Sequence, residues 1–310
     1  MRRRAVVLMN LGGPDSPKAV RPFLYNLFSD PAIIDLPAPL RLPLASLIAW
    51  RRNRVAREIY AHLGGASPLL ANTETQARAL EAALGKGTRC FVAMRYWHPL
   101  TKAAVAAVKA WAPDETVCLP LYPQYSTTTT GSSLAAWREE AERQGLGCPT
   151  RAIESYPTAG GYIAALAGAI GDVLGSDNPR LLLSAHGLPL KIVRGGDPYP
   201  TQIAETAAAV VAALARPGLD WRVCYQSRVG PLAWLGPSVD DEIRRAGADR
   251  VPVVVAPISF VSEHSETLVE LDRDYRRLAE ACGVSEYRRS RTVGADPRFI
   301  AALAELVDGA

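Results

Sequence analysis

The 310-residue chain lacks most of the features that assign a sequence at sight. No stretch approaches the ~20 apolar residues that cross a bilayer. Met1-Arg2-Arg3-Arg4 precedes an apolar run of only Ala5 to Met9, too short for a secretory signal. The five cysteines (Cys90, Cys118, Cys148, Cys224, Cys282) are odd in number, scattered and without a CxxC pair. That pattern speaks against a disulfide framework and against a sulfur-ligated metal centre. Neither GxGxxG nor GxxxxGK[ST] occurs, so nucleotide binding loses ground. Charge of one sign is scarce: 35 Lys and Arg against 31 Asp and Glu leave +4, too little to argue for nucleic acid. A cytoplasmic location is the expectation.

What is there is ordinary in bulk and specific in pattern. Apolar residues make up 48% and charged residues 21%, as in soluble globular proteins, and at roughly 150 residues per domain the length suggests about two domains. Short apolar runs at Ala5–Leu11, Arg89–Arg95, Thr116–Tyr122, Leu181–Ala185, Arg222–Gln226 and Val251–Phe260 read as strands, mostly covered on both faces. Helix-length segments separate them: Ser67–Leu84, Leu100–Trp111, Leu134–Gln144, Ala159–Leu174, Thr201–Leu214, Val239–Ala246, Glu263–Ala281 and Pro297–Val307. Such alternation gives parallel sheets flanked by helices, an α/β fold. A boundary is expected at 150–160, where Gly145-Leu-Gly-Cys-Pro149 and Tyr156-Pro157 interrupt the pattern.

Leu36 to Trp50 is apolar and proline-broken, and it runs into Arg51-Arg52-Asn53-Arg54. It reads either as a core-facing segment before a solvated basic helix, or as a hydrophobic lip with a basic margin. A lip suits a membrane surface or a flat apolar ligand bearing acidic groups.

Unusual polar residues gather just beyond strand ends: Asn10-Leu-Gly-Gly-Pro14, Arg95-Tyr-Trp-His-Pro99, Tyr122-Pro-Gln-Tyr-Ser126, Ser184-Ala-His-Gly187, Tyr225-Gln-Ser-Arg228 and Ser259 through Glu266. In open α/β sheets the ligand sits outside the carboxyl ends of the strands. His186, taken alone, fits a satisfied structural histidine as well as a metal ligand or a base near neutral pH. Glu266 could simply answer a helix dipole. However, Glu266, Glu270 and Asp274 recur every four residues, and a π-type widening would bring them nearly into line. Such a row offers a route for a divalent cation or departing protons. Glu263 and His264 either support this site or belong to a solvated helix start. The hydroxyls of Ser126–Ser133 suit an anion or ordinary capping. Arg51, Arg52 and Arg95 can form bidentate pairs with carboxylates, and Trp234 offers a flat apolar surface or a core side chain.

These blocks, with Leu8-Met-Asn-Leu-Gly-Gly-Pro14, Gly196-Asp-Pro-Tyr-Pro200, Tyr225 through Pro231, Trp234-Leu-Gly-Pro237 and Phe260 through Asp272, resemble the ferrochelatases nearly end to end. Members of that family insert ferrous iron into porphyrin in the last step of protoheme synthesis. The resemblance implies two flavodoxin-like (Rossmann-type) domains with the active-site cleft between them. One is 1–154 with 292–310, carrying a porphyrin lip; the other is 155–291, carrying the catalytic pair.

That resemblance carries the catalytic roles onto His186 and Glu266, with His264 and Glu263 in support. It assigns porphyrin contacts to Asn10, Leu11, Arg51, Arg52, Tyr60, Arg95, Tyr122, Ser126 and Trp234, and metal handling to His186, Glu266, Glu270 and Asp274. The expected partners are a porphyrin and ferrous iron, with peripheral contact at the inner membrane through residues 36–52 and no nucleic acid. No [2Fe–2S] cluster is expected, because Thr127 stands where cluster-bearing relatives can have cysteine and the sequence ends at Asp308-Gly-Ala310. The lip and the Glu-Leu-Asp at 270–272 resemble the users of protoporphyrin more than those of coproporphyrin. The alternatives are a coproporphyrin or other tetrapyrrole chelatase, and a two-lobed binding protein without chemistry.

Overall fold

The computed structural model describes residues 2–228, 230 and 232–309. The chain divides into two compact units, Met1–Ser155 with Leu303–Ala310, and Tyr156–Ala302. The return to the first unit thus begins at Leu303, inside the last helix. Residues 292–302, expected to return with it, belong to the second unit.

The first unit holds strands β1 (Arg4–Asn10), β2 (Thr88–Met94), β3 (Glu115–Pro120) and β4 (Thr150–Ala152). The second holds β5 (Arg180–His186), β6 (Trp221–Gln226), β7 (Val253–Pro257) and β8 (Tyr287–Arg289). All pairings are parallel, and the two sheets share one plan, β2-β1-β3-β4 and β6-β5-β7-β8. The α/β class is as expected. The interior strands are continuously apolar because helices cover both faces; Ala5 to Leu8 and Leu181 to Leu183 are fully buried. β4 and β8 escape sequence reading because three residues each, two of them polar, make no hydrophobic run. Both lie at sheet edges, where short polar strands discourage pairing with other chains.

Helices α1 (Val20–Phe28), α2 (Ala38–Ala61), α3 (Leu69–Leu84), α4 (Thr101–Trp111) and α5 (Ser132–Gln144) fall in the first unit. The second has α6 (Gly160–Leu174), α7 (Leu190–Arg194), α8 (Tyr199–Leu214), α9 (Val239–Asp249) and α10 (Tyr275–Ala281), and α11 (Pro297–Gly309) crosses back. One core layer packs Val7, Met9, Phe91, Val105, Val108, Leu134 and Trp137; its counterpart packs Leu182, Ile243, Val253, Val255, Leu271 and Tyr275. Each such large side chain contributes about 1.5–3 kcal/mol by leaving water.

Two segments depart from expectation. The stretch read as proline-broken is one 24-residue helix, α2, with Pro43 inside it. Pro37 caps it and Pro39 sits in its first turn, where a missing N–H leaves no bond unmade. It buries only Ala45, Ala49 and Tyr60, so the core-facing reading of this segment fails. β7 stops at Pro257, short of Phe260, and Glu266–Asp274 forms a π-helix leading into α10. Among the described residues no helix is long and apolar enough to cross a membrane.

Candidate active site

In each unit the strand order reverses beside the first strand, between β1 and β3 and between β5 and β7. His186 is the last residue of β5, so it stands where sheets of this kind hold ligands. Its backbone is fixed: its N–H donates to Ser259 Oγ at 3.1 Å, and Tyr199 Oη donates to its carbonyl at 3.1 Å. Glycine follows at 187 because a Cβ there would lie 2.8 Å from the Gln226 carbonyl oxygen and 3.3 Å from the Trp234 ring.

The tautomers follow from the partners. His186 Nδ1 lies 2.6 Å from the Gly187 carbonyl oxygen, and His264 Nδ1 lies 3.1 Å from that of Ser262. A carbonyl only accepts, so each Nδ1 carries a proton and each neutral ring presents a lone pair at Nε2. Both Nε2 atoms approach Glu266 Oε2, at 3.6 and 3.8 Å. That oxygen is buried and has no hydrogen-bond partner. Three acceptors meet with no proton among them, a group that gains by capturing a proton or a cation. Phe260 contacts both rings, with centroids 6.3 Å from His186 and 4.6 Å from His264. Burial pushes the Glu266 carboxyl up, but once the facing imidazoles take up a proton their charge, that of His186 foremost, outweighs burial and holds the carboxyl down.

Glu270 is the next carboxylate along the π-helix. It accepts from Gln226 Nε2 (3.1 Å), the Ser227 N–H (2.8 Å), Ser227 Oγ and Tyr275 Oη (3.2 Å). Gln226 is itself aimed by Ser184 Oγ, which donates to its Oε1 at 2.7 Å. Burial and the charge of Glu266 push the Glu270 carboxyl upward. Neighbouring acids driven in opposite directions divide between holding charge and holding a proton. Asp274 then opens to solvent. Among the described residues no three His, Cys, Asp or Glu side chains form a metal-ligand set. Glu266, Glu270 and Asp274 follow one another at four-residue spacing along the π-helix, with His186 facing Glu266.

Glu263 is held from another side. Arg289 on β8 reaches it through Nη1 at 2.9 and 3.2 Å, and the Thr292 N–H donates to it at 2.9 Å. The other guanidinium edge holds Asp272, with Nε at 2.6 Å and Nη2 at 2.7 Å. Burial raises the Glu263 carboxyl, and the Arg289 charge together with the hydrogen bonds from Thr267, Thr292 and Arg289 more than reverses that. Glu263 anchors the approach to the π-helix instead of belonging to a solvated helix start. Trp234, in an isolated bridge with Pro189, is half-buried, so it is neither core nor free surface. Val229 and Pro231 of the Tyr225–Pro231 block lie outside the described residues.

In the first unit, Asn10 ends β1. Its Oδ1 accepts from the Leu11 N–H at 2.8 Å, and its Nδ2 donates to Thr73 Oγ1 at 3.1 Å. Arg95 and Tyr96 donate backbone N–H groups to the carbonyls of Asn10 and Leu11, each at 2.9 Å. Gly12 takes φ +85° in the turn that follows, a conformation open to glycine. Leu11 packs with the buried Tyr60 and Tyr96. Tyr122 is half-buried, and burial pushes its phenol upward. Ser126 is buried and caps the π-helical turn Thr127–Gly131, accepting from the Thr128 N–H at 3.2 Å. Capping thus occupies a hydroxyl that an anion could have claimed. Arg51 and Arg52 are exposed on α2.

A family model described as Ferrochelatase matches residues 3–310. A protein named ferrochelatase from Caulobacter vibrioides is 56% identical over 99% of this chain and 90% of its own length. One from Phenylobacterium zucineum is 54% identical over 99% and 91%, and one from Wolbachia pipientis 48% identical over 98% of both. This chain belongs to the ferrochelatase family. Among solved structures, the sirohydrochlorin chelatase SirB of Bacillus subtilis in complex with cobalt matches with a TM-score of 0.58 at 10% identity, over 99% of this chain and 94% of that one. CbiX, the terminal enzyme of siroheme biosynthesis in denitrifying bacteria, matches with a TM-score of 0.52 at 17% identity, over 100% and 99%. At such identities the likeness concerns the fold alone.

Several residues around this family member's site escaped sequence reading. Arg289 lies on a strand too short to detect, and Asp30 sits in a Ser-Asp-Pro turn that looks like any loop. Gln226 and Ser227 stood in a quoted block, but no spacing in the sequence pairs them with Glu270.

Proposed function

We propose that the chain inserts Fe²⁺ into protoporphyrin IX and releases two protons, the closing step of protoheme synthesis. The observation that carries this reading is the meeting of His186 Nε2, His264 Nε2 and Glu266 Oε2 as acceptors without a donor. A free-base porphyrin has two inner N–H protons that leave as the metal enters, so the reaction supplies what the trio lacks. His186 accepts a pyrrole proton, and Glu266 receives protons or hands over metal. His264, once protonated, keeps Glu266 ionised, and Glu270 and Asp274 lead away toward solvent. A flat macrocycle hides its nitrogens from an approaching metal, so the site holds the ring bent toward the transition-state geometry.

The porphyrin contacts in this reading are Asn10, Leu11, Arg51, Arg52, Tyr60, Arg95, Tyr122, Ser126 and Trp234, the arginines matching carboxylate arms. Iron is a substrate, and the reading includes no resident cofactor and no [2Fe–2S] cluster. Burial of Cys118 and Cys224 inside β3 and β6 supports it. The location is cytoplasmic, with peripheral contact at the inner membrane through residues 36–52, supported by the exposure of Leu40 and Trp50 at 62% each.

The test is to purify His186→Ala and Glu266→Gln and follow metalloporphyrin absorbance anaerobically with ferrous iron, using protoporphyrin and coproporphyrin in parallel. Loss of a proton-transfer group predicts turnover down by about 10²–10⁴ in each variant. Near-normal turnover in both overturns the assignment, and faster turnover with coproporphyrin moves the substrate.

A further inference from the structure

Asp30 follows α1, and its side chain is only 2% exposed. An ionised carboxylate taken out of water needs compensation, and donors from three separate parts of the chain provide it. Oδ1 accepts from the Ala32 N–H at 2.9 Å. Oδ2 accepts from Tyr96 Oη at 2.7 Å, from Ser132 Oγ, and from Arg95 Nη2 at 2.7 Å. Ser132 Oγ in turn accepts from Arg95 Nε at 2.7 Å.

The consequence falls on Arg95. A guanidinium is planar and carries five N–H donors in a rigid fork, so two fixed points along one edge set the whole plane. Asp30 and Ser132 hold Nε and one Nη2 hydrogen, leaving three donors uncommitted. The Arg95 side chain is 24% exposed while Asp30 is hidden. The pair is therefore lopsided: the acid is sealed inside and the base keeps an open edge. Its backbone hydrogen bond to Asn10 holds Arg95 at the carboxyl end of the sheet. Beside it lies a cavity of about 270 Å³, lined also by Asn26, Ser29, Pro31 and Leu100, which has room for a carboxylate arm and is too small for a macrocycle.

We propose that Asp30 is a positioning residue: it sets the plane of Arg95 so that the open guanidinium edge meets a carboxylate arm of the tetrapyrrole. The inference rests on the reading of Arg95 as a porphyrin contact. Orientation and charge make opposite forecasts. If Asp30 only offset the charge of Arg95, its neutralisation would strengthen attraction for an anionic substrate. If it aims Arg95, Asp30→Asn turns an amide donor toward the Arg95, Tyr96 and Ser132 donors and misdirects the guanidinium.

The experiment measures porphyrin KM and kcat for the wild type, Asp30→Asn, Arg95→Ala and the double variant, with thermal unfolding recorded for each. Asp30→Asn is expected to raise KM about tenfold, the scale of one lost charge-assisted hydrogen bond. Little change in kcat is expected, and no further rise in KM in the Arg95→Ala background. Ser132→Ala, which removes the Nε acceptor and leaves the buried charge in place, keeps the test open if Asp30→Asn does not fold; it is expected to raise KM in the same way. An unchanged or lowered KM in Asp30→Asn, with KM raised in Arg95→Ala, overturns the role of Asp30 alone. An unchanged KM in Arg95→Ala overturns both this inference and the porphyrin-contact reading beneath it. Equal losses from Asp30→Asn with and without Arg95 reduce Asp30 to a folding element and also overturn the proposal.

Discussion

An imidazole whose Nδ1 is tied to a carbonyl has one nitrogen left for chemistry, and two such rings aim that nitrogen at a single carboxylate oxygen. The two histidines differ in access: the His186 side chain is 41% exposed and that of His264 is 11%. This suits His186 to meet substrate and His264 to tune Glu266. Removing His264 takes away one of the two imidazoles that, once protonated, hold the Glu266 carboxyl down, so that carboxyl rises. A step that needs the carboxylate fails as pH falls through its pKa, so the acid limb of kcat/KM moves toward neutral in His264→Ala. Profiles of ferrous insertion from acid to neutral pH test this, and superimposable acid limbs would show that His264 does not govern Glu266. His186 and Glu266 were legible in the sequence because one ends an apolar strand and the other opens a four-residue acidic spacing. Asp30 was not, since its partners Tyr96 and Ser132 lie 66 and 102 residues away.

At the scale of elements, the π-helix Glu266–Asp274 is the least ordinary piece, and its cause is partly external. Arg289 on β8 ties Glu263, ahead of the helix, to Asp272 near its end. This half-buried clamp brackets a stretch whose wide turns would otherwise compete with a regular α-helix. Glu263→Gln keeps the shape and removes the charge, and it is expected to cost about 1–3 kcal/mol at neutral pH. The native Glu263 carboxyl lies below its ordinary value. Its stabilisation is therefore complete above the unfolded pKa of about 4.3 and is lost as pH falls through the native one. Urea unfolding of wild type and variant should show a gap at pH 7 that narrows below about pH 4; parallel curves would mean the clamp carries no net charge stabilisation. The acidic spacing showed what a π-geometry would align, but it did not by itself predict that geometry. By contrast, α2 was hidden by its prolines, which local propensity treats as breaks although Pro37 and Pro39 fall where a helix tolerates them.

Across the whole molecule, the repeated β2-β1-β3-β4 plan explains why fold class was easier to read than detail. Alternating apolar runs and helices announce parallel sheets, but strand order depends on crossovers that no local pattern records. Neither sheet plan accounts for α2, which leaves large apolar side chains in water. Leu40, Leu44, Leu47 and Trp50 follow one another at spacings of four, three and three, which places them along one face, with exposures of 62%, 36%, 48% and 62%. Exposed Arg51, Arg52 and Arg54 border that stripe, and the chain as a whole carries +4. An apolar stripe with a basic margin partitions to a surface through both features, and only the electrostatic part is screened by salt. In flotation with vesicles of neutral and anionic phospholipid, a variant with Leu40, Leu47 and Trp50 all changed to Ser should bind weakly at every salt concentration. Each removal is expected to cost about tenfold in partitioning. Changing Arg51, Arg52 and Arg54 to Gln should instead weaken binding only to anionic vesicles at low salt. If the triple Ser variant floats as the wild type does, the stripe does not meet lipid, and its exposure must serve the substrate alone.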